Sequence, residues 1–205
     1  MYSSSVSGFL NKVNQGVKPN LFVVDVQYPT SFASVPADAA LTNMLCKSAA
    51  LPASNLGVIE VPYRGRTVKI AGDRTFDTWT ATFINDRNFL IRSAMEKWMS
   101  EINSHDGNRA DRHKPANDST GYTAHLLVKQ LERDGQTNAS ILRQYKLWYC
   151  FPTNVSQIDL AYDSNDQIED FTVEFQVQYW TVENSGVTLS TAGVGTPSGV
   201  EIKDP

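Results

Sequence analysis

Residues 170–181 read DFTVEFQVQYWT, and their two-residue rhythm decides the fold class. Phe171, Val173, Phe175, Val177 and Tyr179 fall on one side of an extended chain, and Thr172, Glu174, Gln176 and Gln178 on the other. Alternation of this kind is the signature of a strand with one packed face and one polar face. The same period appears in RTVKIAGDRTFDTWTATFI (66–84), where Trp79, Ala81 and Phe83 alternate with Thr78, Thr80 and Thr82. Further strands are expected at 21–28, 41–51, 122–133, 140–150 and 157–162, with a turn at DSND (163–166). One helix interrupts the pattern. Ile91, Met95, Trp98 and Ile102 recur at helical spacing after the capping pair Asn85-Asp86, which predicts a helix over about residues 87–103. The reading is mainly β, a sandwich or barrel-like domain with one flanking helix.

This body spans 20–182. Residues 1–19 are Ser, Asn and Gly-rich with an apolar island (Val6, Phe9, Leu10, Val13) and read as an arm that orders on assembly. Residues 183–205 carry too little apolar bulk to fold alone and read as a flexible tail. Within the body, residues 49–65 hold two prolines and two glycines and read as a long loop, a length that usually serves a function.

The bulk numbers exclude several classes. A net charge of −4 over 205 residues is too mild for a protein that grips a phosphate backbone. There is no apolar run of membrane-spanning length and no secretory leader pattern, so no membrane role is expected. Cys46 and Cys150 read as small apolar strand residues rather than a disulfide. His105 and His113 lie in the polar loop 104–121 without zinc-ligand spacing, and His125 reads as a sheet residue. DSNDQIE (163–169) lacks the glycine and distal glutamate of a calcium loop, and AGDR (71–74) is no phosphate cradle. No catalytic, metal or cofactor-binding residue is assigned, and no cofactor.

Charge is unevenly distributed instead. From Gln157 to Glu183 there are seven acidic residues (Asp159, Asp163, Asp166, Glu169, Asp170, Glu174, Glu183) and no basic one. The stretch 64–74 carries Arg64, Arg66, Lys69 and Arg74 against Asp73 alone. Each is either a solvated face or half of a self-complementary pair between copies. Heterologous contacts of the second type build rings and filaments.

Across roughly 19–181 the chain resembles the tail tube proteins of T-even-like contractile-tail phages. The resemblance is carried by PNLF (19–22), CKSAALPAS (46–54), VKIAGDRTFDTWTATFIND (68–86), KPA (114–116), LWYCFPTNVSQIDLAYDSNDQIEDF (147–171) and YW (179–180). The insertion around 29–40 and the tail after Val182 lie outside the pattern. The resemblance implies a non-enzymatic virion subunit, assembled in the host cytoplasm, whose homohexameric rings close into β-barrels and stack into a tube. Its implied partners are the sheath around the tube, baseplate and tail terminator proteins at its ends, and the tape-measure protein and genomic DNA within. On that footing Arg64, Arg66, Lys69 and Arg74 are candidates for contacts to Asp159, Asp163 and Asp166 of the next ring. Thr172, Glu174, Gln176 and Gln178 are candidates for the lumen wall. A tube subunit of a contractile injection or secretion system is the nearest alternative. An enzyme with a polar site in 104–121, and a monomeric binding module, are further ones.

Overall fold

The computed structural model describes residues 6–14, 16–29, 39–105, 107, 121–132, 141–163 and 165–183. In chain order the elements are α1 (Val6–Asn14), β1 (Phe22–Val26), α2 (Ala39–Met44), β2 (Cys46–Ala49), β3 (Asn55–Tyr63) and β4 (Arg66–Thr75). They continue with β5 (Trp79–Ile84), α3 (Leu90–Ile102), β6 (Ala124–Leu131), β7 (Ile141–Val155), β8 (Asp170–Gln176) and β9 (Tyr179–Glu183).

Strand β7 organises the body. Its first part, Ile141–Cys150, pairs antiparallel with β6, and Gln144–Trp148 pairs with β9 on the other side. Its last part, Phe151–Val155, pairs with β8 instead. The changeover falls beside Tyr149, whose φ of 53° lies in the left-handed region that a bulky side chain adopts only under constraint. One strand thereby serves two sheets. The first sheet runs β1-β6-β7-β9, and the second runs β2-β5-β8 and the end of β7. The hairpin β3–β4 forms a separate two-stranded sheet.

The two inner faces meet in one core. Val24, Val26, Leu126, Val128 and Leu147 come from the first sheet, and Trp79, Phe83, Phe171, Val173 and Phe175 from the second. Helix α3 closes the core with Ile91, Met95 and Trp98, all buried. Trp98 lies with its ring centroid 6.2 Å from that of Phe175, and its indole N–H donates to the Tyr122 carbonyl at 2.8 Å. The buried ring is thus polar-satisfied at its one donor.

The alternation of Trp79, Ala81 and Phe83, and of Phe171, Val173 and Phe175, is as the sequence suggested. So is the helical stripe, although α3 starts at Leu90. Asp86 accepts from the backbone N–H groups of Asn88 (3.1 Å) and Leu90 (2.8 Å), doing the work of a cap from outside the helix.

Other expectations need correction. The expected strand 41–51 is the end of α2 followed by the short β2. The stretch 66–84 holds two strands, β4 and β5, separated at Phe76–Thr78, with the expected alternation in the second. Residues 157–162 form no strand: Leu160 and Tyr162 are fully out in solvent, and no neighbouring strand pairs with them. The run 170–181 is two strands. Gln178 sits in the break, its backbone N–H bonded to the Trp148 carbonyl at 3.2 Å, and the chain turns there to reach the other part of β7. Tyr179 consequently leaves the buried series and is exposed. Residues 49–65 are chiefly a strand, because Asn55–Tyr63 finds a partner in Arg66–Thr75.

Candidate assembly surfaces

The hairpin β3–β4 is the most exposed part of the described body. Tyr63 pairs with Arg66 across a two-residue connection, and both Arg64 (φ 44°) and Gly65 (φ 83°) have positive φ. That combination matches the right-handed strand twist, and Gly65 supplies it at no steric cost. The register sorts the side chains. Ile59 faces Ile70, Val61 faces Val68 and Tyr63 faces Arg66 on one side. Val58, Glu60, Pro62, Thr67, Lys69 and Ala71 share the other, where Lys69 and Glu60 form an ion pair at 3.4 Å. One face is therefore a β-branched stripe that is apolar up to its tip, where Tyr63 and Arg66 end it. An isolated two-stranded hairpin is marginal in water, and this one shows its apolar side chains to solvent. It is an arm awaiting a cover.

The arm leaves the body through a braced root. Trp79 on β5 donates its indole N–H to the Ala50 carbonyl at 2.6 Å, and Trp180 on β9 donates to the Ala53 carbonyl at 2.9 Å. Asn55 donates to the Asp77 carboxylate at 2.6 Å, closing the two ends of the arm on each other. Of the four basic candidates, Lys69 has its partner in the arm itself. Arg64, Arg66 and Arg74 form no ion pair among the described residues.

The acidic candidates lie on the connection between β7 and β8, residues 156–169. Here Leu160, Tyr162 and Ile168 are exposed beside Asp159, Asp163 and Asp166. The connection borders an open concavity of about 870 Å³ whose wall includes Ile158, Asp159, Leu160, Ile168 and Phe171. At its base Asp170 is neutralised by Lys47, and Glu169 accepts from the Asn85 amide at 2.9 Å. On this connection Asp159, Asp163, Asp166 and Glu169 make no ion pair among the described residues.

The outer face of the second sheet is chemically different. Thr172, Glu174 and Gln176 stand opposite the buried Phe171, Val173 and Phe175. The register sets Thr80 and Asn154 beside Glu174, and Thr82 beside both Thr172 and Ser48. The hydroxyls of Thr82 and Thr172 are 3.1 Å apart, and the Thr172 N–H donates to the Ser156 hydroxyl at 2.9 Å. This face carries hydroxyls and amides, with the Glu174 carboxylate and, at its end, Asp170 paired with Lys47. Its edges, β2 and the end of β7, have no further strand beside them among the described residues. The first sheet's outer face holds instead a cross-strand ladder of charges, with Asp25–Lys129 and Lys146–Glu183 pairs and Gln144 donating to Glu183 at 2.8 Å.

The remaining polar candidates carry no site. His105 is exposed after α3, and His113 lies outside the described residues, as does most of the 104–121 loop. His125 is buried, its ring edge-on to Trp148 at 4.4 Å, and burial followed by the neighbouring Lys146 holds it below the usual histidine range. Among the described residues no cluster could hold a metal ion, and no helix is long and apolar enough to cross a membrane. Both cysteines are free. The surface that sequence reasoning missed is the arm's apolar face. Its signal was present in Ile59, Val61, Tyr63, Arg-Gly, Val68 and Ile70, but Gly57 and Pro62 masked it.

The family model for phage tail tube protein matches residues 17–183. The chain is 35% identical over 163 residues to the tail tube protein gp19 of Enterobacteria phage T4, covering 80% of this chain and 90% of that one. It is 31% identical over 149 residues to the tail tube protein of Serratia phage KSP90, covering 71% and 79%. Among solved structures, the fold is similar to the sheath/tube terminator of the extracellular contractile injection system PVC in its extended state. That match has a TM-score of 0.58 and 14% identity, covering 82% of this chain and 97% of that one. The sheath-tube complex of the same system matches with a TM-score of 0.54 at 16% identity, covering 88% and 99%.

Proposed function

The chain belongs to the phage tail tube protein family, and on that premise we propose that its copies close into six-membered rings that stack as the inner conduit of a contractile tail. It is a structural tail tube protein of the virion. We read it as having no catalytic role. The finer assignments are the lumen wall, the ring-to-ring contact and the cargo.

The observation that carries the reading is the second sheet: a hydroxyl and amide face flanked by two edges that are unpaired among the described residues. Unpaired strand edges are an aggregation hazard unless something completes them. If β2 of one copy meets the end of β7 of the next, the sheets join around a circle and the edges disappear by closure. The even face of β8 then lines the bore. A wall of Thr, Ser, Asn and Gln whose charges are Glu174 and a Lys47–Asp170 pair is net negative, stays wet and gives DNA little counterion-releasing grip. Genomic DNA and a tape-measure protein fit that bore, the sheath would surround the rings, and baseplate and terminator proteins would end them. Assembly in the host cytoplasm follows from the same reading.

Between rings, the basic arm suits the acidic connection 156–169. Arg64, Arg66 and Arg74 would meet Asp159, Asp163 and Asp166 of the next ring, with Lys69 contributing less because Glu60 already holds it. A tube of an injection machine is the second reading. The sequence relatives are phage proteins at 31–35% identity, whereas the injection-system proteins share the fold alone at 14–16%. That contrast favours the phage conduit. Negative-stain electron microscopy of the purified chain tests the proposal: rings or tubes with a central hole are expected. A strictly monomeric species at high concentration would overturn it.

A further inference from the structure

Two apolar surfaces of this chain are uncovered, and they match each other. On α1, Val6, Phe9, Leu10 and Val13 recur at spacings of three, one and three, which puts them on one stripe. Their exposure runs from 57% (Val13) to 74% (Val6). On the arm, Ile59, Val61, Tyr63, Val68 and Ile70 form the apolar face, from 42% (Val61) to 54% (Ile59) exposed, with Arg66 at its tip. Within one chain neither covers the other. We propose that the α1 stripe of one copy docks on the apolar face of the β3–β4 arm of a second copy. The inference rests on the tube reading, because it needs copies held side by side.

The size of the two surfaces agrees. A helix of nine residues is about 13 Å long. The five residues from Ile59 to Tyr63 span about 16 Å of strand. A two-stranded sheet gains independent stability by packing a helix on its apolar face, so the pairing supplies what the arm lacks.

Charge selects this occupant over the acidic connection. Seating Asp159, Asp163 or Asp166 on the Ile and Val pairs would strip water from carboxylates, because the cations lie only at the tip, in Arg66 opposite Tyr63 and Arg64 over the Tyr63 ring. Those carboxylates suit Arg64 at the turn and Arg74, which pairs with Leu56 on the opposite face. The stripe positions of α1 are all apolar, and its one charged residue, Lys12, falls between them in the sequence. The arm therefore has two sides for two partners: a helix on its apolar face, and an acidic connection at its turn and other face.

The test uses the full chain with Leu10→Cys in one preparation and Val61→Cys in another. Mixed, assembled and mildly oxidised, the pair should give a two-chain disulfide product that neither variant alone gives. Tubes that form without that product overturn the inference, as does a chain carrying both substitutions that cross-links within itself before assembly. A second measurement covers variants that assemble poorly. Phe9→Ser with Leu10→Ser should leave the melting temperature of the subunit unchanged, since the stripe faces solvent there. It should raise the concentration needed for tubes about tenfold, and an unchanged threshold overturns the inference. Failure of the tube reading is separately visible, because the unmodified chain would then form no rings or tubes.

Discussion

The indole of Trp180 donates to the carbonyl of Ala53 at 2.9 Å, tying the last described strand to the segment from which the arm departs. The Trp180 ring also meets Tyr145 in the core at 5.5 Å and Phe76 at the other end of the arm at 6.4 Å. With Trp79 bonded to Ala50, each sheet contributes one indole to the root. The arm is thus aimed before any partner arrives, which reduces the ordering cost of assembly.

Trp180→Phe keeps the ring contacts and removes the donor. A hydrogen bond at a solvent-accessible site contributes about 0.5–1.5 kcal/mol, and the freed carbonyl can turn to water. The melting temperature should fall by only about 2–4 °C. Tryptic cleavage within the arm, at Arg64, Arg66 or Lys69, should quicken, and tubes should need a higher protein concentration. A variant that melts lower yet assembles at the original concentration would show that this bond stabilises the body without aiming the arm.

Replacing Arg64 and Arg66 by Glu reverses the charge at the tip of the arm. Neither residue has an ion-pair partner among the described residues, so the subunit should fold with an unchanged melting temperature. Each exposed pair to a neighbouring ring would be worth about 0.2–1 kcal/mol, repeated at every subunit. Tubes should be shortened or absent, and added salt should weaken stacking of the unmodified protein because exposed charges are screened. Normal tubes from the double variant would exclude this pairing.

How far the chain was legible depended on whether the signal was local. The alternations in β5 and β8 and the stripe of α3 are local, and each was readable because the buried face follows the period. The break at Gln178 was not, since the alternation in sequence runs on through Tyr179 while the chain turns to pair with another part of β7. Ile158, Leu160 and Tyr162 alternate like a strand, yet no strand among the described residues pairs with them, and periodicity cannot report a missing partner. The arm was hidden for the opposite reason. Its apolar residues do not belong to the core of one chain, so reading for a core passes over them. The uneven charge was visible in the sequence, but not that Lys47, Asn85 and Glu60 already occupy part of it.

The two free thiols give a pH signature. Burial pushes Cys46 up to about 11 and Cys150 up to about 12, from an ordinary 9.0. Below pH 9 the thiols are protonated in both folded and unfolded chains, and their contribution is complete. Above it the unfolded chain releases protons that the folded chain retains, so stability falls as pH rises toward the folded values. The slope approaches about 1.4 kcal/mol per pH unit for each thiol. A variant with Cys46→Ser and Cys150→Ala should lose less stability between pH 8.5 and 10.5 than the unmodified chain, measured by denaturant midpoint at each pH. Parallel pH profiles would show that the thiols do not contribute to the alkaline loss. Both thiols should also alkylate slowly at pH 8 until the chain is unfolded.

Glu174 is the carboxylate on the outer face of the second sheet that makes no ion pair among the described residues, set among Thr80, Thr172 and Asn154. If that face is the bore, each subunit contributes the Glu174 carboxylate and a Lys47–Asp170 pair, one net negative charge, and the wall repels phosphate weakly. Duplex DNA bears one negative charge per about 1.7 Å of axis, so lysines in the same place would exchange its counterions and retain it. Glu174→Lys should leave folding intact, because the side chain points away from Phe171, Val173 and Phe175 and makes no ion pair among the described residues. Tubes should form normally, since neither the arm nor the acidic connection is touched. Ejection of DNA from a phage carrying the change should slow, most at low salt where the Debye length reaches about 30 Å at 0.01 M. Glu174→Gln supplies the control: it removes the charge without adding a cation and should eject at close to the normal rate. Normal ejection by the lysine variant at low salt, or a tube structure with Thr172, Glu174 and Gln176 turned from the bore, would assign the lumen to another face.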